Sequence, residues 1–203
     1  MLKIPISGGP HTGKTTLLEA LRAEFPDAHF VPEPAERVIA RELGKEQDDP
    51  EYTAIVPMRD YRKFAPLVVE ESVALEDEIP EGVDVVFQDR SLIDNVGYGK
   101  LNDFTDFLPE VHRKIVVARY SFSLFCAPVG EYAKSAIRHE TAEEAVETHR
   151  HLMDAYSQSG IEVVHLPAVA VEQRLEIIRL RIKNVQKASP THTDFTGGQS
   201  ASA

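Results

Sequence analysis

Gly8-Gly9-Pro10-His11-Thr12-Gly13-Lys14-Thr15-Thr16 satisfies every fixed position of the phosphate-loop pattern G-x-x-x-x-G-K-[ST]. The residues on either side supply the context that this pattern needs. Leu2 to Ile6 is an apolar run that predicts a buried strand. Leu17, Leu18, Leu21 and Phe25 recur on one helical face, so the loop joins a strand to a helix N-terminus. Glycine at positions 8 and 13 permits backbone conformations and close approaches that a Cβ would block, and the free amides of the loop and first helical turn converge on phosphate oxygens. Lys14 is expected to reach the β- and γ-phosphates of a nucleotide. The Thr15 hydroxyl is expected to complete the shell of a magnesium ion that keeps several waters.

The 203 residues suit one α/β domain with a substantial core and a helical insertion. A net charge of −11, from 33 acidic against 22 basic residues, is spread along the chain and repels nucleic-acid backbones and anionic membranes. No nucleic-acid or membrane partner is therefore expected. The single cysteine, Cys126, excludes an intramolecular disulfide and a cysteine-based zinc site. The strand beginning at the second residue leaves no room for a signal peptide, and no apolar run approaches a membrane span, so a soluble cytoplasmic protein is expected. A homodimer is left open.

Further along, His29-Phe30-Val31 predicts a second strand, and the prolines of Pro32-Glu33-Pro34 place Glu33 at its carboxyl end, where open α/β sheets hold ligands. Val38, Ile39 and Leu43 suggest a helix stopped by Gly44. Residues 51–79 form a helical insertion that Pro57 and Pro66 are expected to kink or divide, and Arg59, Arg62 or Phe64 within it is a candidate for facing the substrate. Val83-Asp84-Val85-Val86-Phe87-Gln88-Asp89 is a β-branched run ending in a carboxylate. That pattern predicts a strand that presents Asp89 beside the phosphate loop to hold magnesium through water, with Arg90 next to it to hold an acceptor or a phosphate.

Ser91 is a candidate N-cap for a helix to Lys100, residues 102–109 read as a loop, and a helix is expected over 110–118. Tyr120 to Cys126 predicts a fourth strand and Ile161 to Leu166 a fifth. The polar connection 128–141, carrying Lys134 and Arg138, stands where small P-loop kinases keep a lid that brings an arginine to the transferring group. Ala142, Ala145, Val146, His149, Leu152, Met153 and Tyr156 form one stripe of a long helix, on which His149 reads as a packed histidine. A closing helix carries Val171, Leu175, Ile178, Ile182 and Val185, and residues 187–203, with almost no apolar content, are expected to be a disordered tail beyond a folded unit of 1–186.

The order of these parts resembles the P-loop kinase-like ATPases related to the ribosylnicotinamide kinase domain, the NadR/Ttd14-like AAA family. The likeness covers about residues 2 to 185 and is closest over Ile6 to Thr16, Val31 to Arg37 and Asp89-Arg90. It implies a P-loop NTPase fold with a five-stranded parallel sheet of order 2-3-1-4-5 between helices. Deoxynucleoside kinases look similar at a Glu-Pro after the second strand, whose glutamate takes the acceptor hydroxyl's proton, and at an acidic-Arg-Ser triplet after the third. Here these are Glu33-Pro34 and Asp89-Arg90-Ser91, with Asp where those kinases carry glutamate. The resemblance implies an enzyme with ATP as phosphoryl donor and a nucleoside- or nucleotide-like acceptor. The residues it assigns to catalysis are Lys14, Glu33, Asp89 and Arg138, with Thr15 and Asp89 on the metal and Glu33, Arg37 and Arg90 on the acceptor. Glu36 is an alternative to Glu33 on the same face of the following helix.

Other functions of the loop lack their residues. A GTPase would need an Asn-Lys-x-Asp guanine motif, which does not occur. A transport ATPase would need its signature in a structured setting, and Gly197-Gly198-Gln199 has none. The runner-up is a regulatory protein that binds and hydrolyses ATP without a small-molecule acceptor.

Overall fold

The computed structural model describes residues 1–43, 60–129 and 141–188. Strand β1 (Leu2–Ser7) stands at the centre of a five-stranded sheet. On one side lie β3 (Val85–Asp89) and then β2 (His29–Val31), and on the other β4 (Ser123–Cys126) and then β5 (Val163–Leu166). Every pairing is parallel and the order is 2-3-1-4-5, as expected. Parallel neighbours need crossover connections, so at least one helix lies between each strand and the next. These are α1 (Lys14–Glu24), α2 (Pro34–Leu43), α3 (Tyr61–Asp77), α4 (Leu92–Leu101), α5 (Leu108–Ala118) and α6 (Ala142–Gln158), and α7 (Val171–Ala188) closes the fold.

The period of two along each strand assigns its side chains to two cores. Ile4 and Ile6 of β1, Val85 and Phe87 of β3 and Leu124 and Cys126 of β4 pack with Leu17 and Leu21 of α1 and Ile178 and Ile182 of α7. On the opposite face, Phe125 joins Val69 of α3, Leu92 and Val96 of α4, Ile115 of α5 and Leu152 and Tyr156 of α6. The same alternation carries Ser7 to this second face, where its Oγ donates to Asp94 at 2.5 Å. Asp89 shares the parity of Val85 and Phe87, which aims it at the N-terminus of α1.

Several elements differ from the sequence reading. Helix α3 runs unbroken through Pro66, because burial of Phe64, Ala65, Val69 and Leu75 outweighs the backbone hydrogen bond that proline cannot make. Pro57 and Arg59 lie outside the described residues. Helix α5 starts at Leu108 rather than Glu110, since Pro109 fits a first turn that needs no amide donor. Strand β4 begins at Ser123, not Tyr120, because its ladder with β5 starts there. The buried stripe of α6 is Ala145, Thr148, Leu152, Ala155 and Tyr156, while Val146 is 69% exposed. Its seam is set by the close packing of α4, whose Gly97 sits directly on the α6 backbone at Leu152. Helix α7 continues to Ala188.

Candidate active site

The loop after β1, Asp89 at the end of β3 and Glu33 two residues past β2 all fall at the carboxyl edge of the sheet, with Ile6 and Asp89 in register. At Gly8, with φ 149°, an added Cβ would stand 2.8 Å from the Cys126 carbonyl oxygen, so only glycine lets the loop leave β1 against β4. Gly13 caps α1 with φ 71° and no side-chain hydrogen bond, and the first turn holds no acidic residue. By contrast α4 and α6 are each closed by a capping box, Ser91 with Asp94 and Thr141 with Glu144. The first-turn amides of α1 are thus left for an external anion, which is the fit that a nucleotide phosphate requires.

Lys14 lies between two carboxylates. Its Nζ contacts Asp89 Oδ1 and stands 3.5 Å from Glu33 Oε2. Arg90, held at φ 66° past the end of β3, donates from Nε to Glu33 Oε1 at 3.0 Å and from Nη1 to Asp94 Oδ1 at 3.2 Å. Burial pushes the Glu33 carboxyl upward, but the Arg90 and Lys14 charges beside it prevail and hold it below the usual glutamate value. Asp89 has the weaker cation support. Burial and repulsion from Glu33 raise it despite Lys14. Glu36, half buried on α2, is pushed up to about 7 by burial and by the charges of Glu33 and Asp89.

Beside Glu33 and Arg90 opens a cleft of about 750 Å³ between α2, α3, α4 and α6. Arg62, Phe64, Asn95 and Tyr98 are among the residues that line it. Asp94, at its inner wall, is buried and takes hydrogen bonds from Ser7 Oγ, Tyr156 Oη at 2.6 Å, the Ser91 amide at 2.9 Å and Arg90. Asp94 therefore fixes the guanidinium that addresses Glu33. A cleft of this size, walled by a few oriented polar groups and adjoining an anion-binding loop, suits a small polar molecule beside a nucleotide.

Residues 3–174 match the family model described as an AAA domain. The chain belongs to the AAA domain family. This AAA domain is 25% identical, with a TM-score of 0.62, to a crystal structure of NadR protein in complex with NR, over 89% of this chain and 51% of the other. It therefore spans about half the length of that NadR chain. Deoxyadenosine kinase from M. mycoides aligns at 14% identity, with a TM-score of 0.66, over 91% of this chain and all of that one. Thymidylate kinase from Candida albicans aligns at 13% identity, with a TM-score of 0.57, over 93% of each. These two share the fold. No curated protein sequence matches the chain.

In this AAA domain the residues singled out from the sequence divide into three groups. Gly8 to Thr16, Glu33, Asp89 and Arg90 are brought together. Arg37 is not. Its guanidinium stands 3.2 Å from Glu71 and 3.1 Å from Glu78, drawn off by the buried Glu71 carboxylate, which Arg41 also contacts, so Arg37 ties α2 to α3. Lys134 and Arg138 lie outside the described residues. The sequence does not point to Asp94 or Tyr98 as site residues, and it places Tyr156 only on the apolar stripe of α6, without its bond to Asp94. Ser91-x-x-Asp94 signals a capping box, but nothing in it says that the carboxylate also holds Arg90. His149 is a packed histidine as expected, with one further contact, since its Nδ1 accepts the Gly9 amide at 3.2 Å.

A magnesium ion would be held by Asp89 and the exposed Thr15 hydroxyl. Among the described residues no three His, Cys, Asp or Glu side chains form a metal cage, and a hexahydrate-derived ion bound by one carboxylate, one hydroxyl, waters and phosphates needs none. No helix among them is long and apolar enough to cross a membrane.

Proposed function

We propose that the protein is a small-molecule kinase that transfers a phosphoryl group from magnesium-ATP to a hydroxyl of a nucleoside- or nucleotide-like acceptor. The observation that carries this reading is the position of Glu33. One of its oxygens faces Lys14 of the phosphate loop and the other faces Arg90, while the residue lines the cleft next to that loop. A carboxylate between a donor site and an acceptor cleft is the group that phosphoryl transfer to a hydroxyl requires, whereas nucleotide binding or hydrolysis alone does not.

Bound magnesium-ATP supplies the electrophilic phosphorus and neutralises part of its charge. Lys14 would balance the β,γ-phosphate oxygens, releasing its contact with Asp89, which together with Thr15 would hold the metal's water shell. Glu33, kept ionised by Arg90, would orient the acceptor hydroxyl and take its proton as the new O–P bond forms and the bond from the γ-phosphorus to the β,γ-bridging oxygen breaks, releasing ADP. Arg138 is proposed to arrive with the 128–141 lid. Replacement of Glu33 by glutamine keeps the shape and removes the charge. Glu33→Gln should therefore lower acceptor phosphorylation by about a hundredfold or more with ATP affinity nearly constant, and with a modest fall in melting temperature, since the ion pair is lost but the amide oxygen still accepts from Arg90. A screen with nucleosides, nucleotides and nicotinamide riboside supplies the acceptor. Normal transfer by Glu33→Gln removes Glu33 from the reaction, and ATP hydrolysis indifferent to every acceptor favours the regulatory ATPase.

A further inference from the structure

Arg174, in the first turn of α7, is only 2% exposed, yet among the described residues no carboxylate pairs with it. Its three bonds run to backbone carbonyls: Nε to Pro167 O at 2.8 Å, Nη1 to Thr12 O at 2.6 Å and Nη2 to Ala127 O at 3.0 Å. One guanidinium thus joins the loop before α7, the end of β4 and the phosphate loop. A buried cation is costly without an anion, and carbonyl dipoles compensate its charge only in part.

The bond to Thr12 has a consequence for the opposite side of the loop. The carbonyl of Thr12 and the amide of Gly13 belong to one planar trans peptide group and point in opposite directions. Holding the carbonyl outward on Arg174 turns the Gly13 N–H inward. The neighbouring peptide is set the same way, since the His11 carbonyl accepts the Val129 amide at 2.8 Å and leaves the Thr12 N–H on the inner side. We infer that Arg174 is a positioning residue for the nucleotide phosphates: it orients the Thr12–Gly13 peptide toward the bound anion and lends that anion its positive charge from behind the loop. The inference rests on the loop binding nucleotide phosphate, as the proposed function requires, but not on any acceptor.

Arg174→Lys keeps the charge and can reach one carbonyl, whereas Arg174→Met removes both charge and fork. Titration calorimetry with magnesium-ATP and with inorganic tripolyphosphate reads the phosphate site without an acceptor. Arg174→Met should bind both about ten- to a hundredfold more weakly than the native chain, and Arg174→Lys should fall between them, the loss being that of one or two charged hydrogen bonds. A residue that only supports the fold would instead lower the melting temperature and leave the affinities of the folded protein unchanged. Native affinity for tripolyphosphate in both folded variants overturns the inference and leaves the proposed function standing. Failure of both variants to fold overturns it too, by making Arg174 a residue of the core. A native chain that binds neither probe removes the phosphate site on which both readings rest. Intact transfer by Glu33→Gln removes only the acceptor reading.

Discussion

Glu36 shows how a single carboxyl reports the charge crowding of this site. Burial, then the negative charges of Glu33 and Asp89, raise its value from 4.5 in the unfolded chain to about 7. The folded protein consequently holds a proton that the unfolded chain releases between about pH 4.5 and 7, so this residue makes stability fall as pH rises through that interval. Glu36→Gln removes the liability. The variant should melt at a higher temperature than the native chain at pH 8, by about 1 kcal/mol of stability once the shift is discounted for the group's partial exposure. At pH 4.5 the two should melt together. Equal melting temperatures at both pH values contradict the crowding. The pattern Glu33-Pro34-x-Glu36 was legible in the sequence as a choice between two candidate carboxylates. The three-dimensional charges separate them, since Arg90 and Lys14 reach Glu33 and hold its carboxyl low, whereas burial and the charges of Glu33 and Asp89 push Glu36 up to about 7.

At the scale of elements, the junction of α4 with α6 frames the inner wall of the cleft, because Asp94 and Tyr156 meet across it. Gly97 makes this junction possible. An added Cβ there would lie 2.9 Å from Leu152 Cδ2 and 3.0 Å from both the His151 carbonyl oxygen and Leu152 Cα. Backbone cannot give way as a side chain can, so Gly97→Ala should destabilise the fold by about 1–3 kcal/mol despite alanine's better helix propensity. A urea midpoint equal to that of the native chain contradicts this packing. The same junction explains why periodicity located α6 and the Ala145, Leu152 and Tyr156 centre of its buried face but not the edges of that face, where Val146 is exposed and Thr148 and Ala155 are buried. Apolar residues such as Val146 and small ones such as Ala155 can serve either side of a helix, and the partner's shape decides. Ser91 as the N-cap of α4 was readable because capping is local: Ser91 Oγ accepts the Ile93 amide at 3.1 Å.

For the molecule as a whole, magnesium-ATP should act as a clamp between the ends of three strands and the start of α1. Binding to the folded chain alone adds about 2.7 kcal/mol of stability at one hundred times the dissociation constant, or about 5–10 °C in melting temperature for a chain of this length. Lys14→Ala, with the phosphate contact removed, should show little of that shift while remaining folded, because Arg90 still neutralises Glu33. A shift that is the same in both proteins places the nucleotide elsewhere.

The P-loop, the parallel sheet of order 2-3-1-4-5 and the carboxyl-edge positions of Glu33 and Asp89 were determined by sequence alone, through local signals and a family resemblance carried by contiguous motifs. A glycine-rich turn, a β-branched run ending in aspartate and a Glu-Pro after a strand all state their geometry within a few residues. The pairing of charges was decided only by tertiary structure. Arg37 turns to Glu71, Asp94 holds Arg90 and Arg174 reaches Thr12 across 162 positions of sequence. Long flexible side chains select partners by desolvation and distance in the folded state, and neither quantity exists until distant segments are packed together.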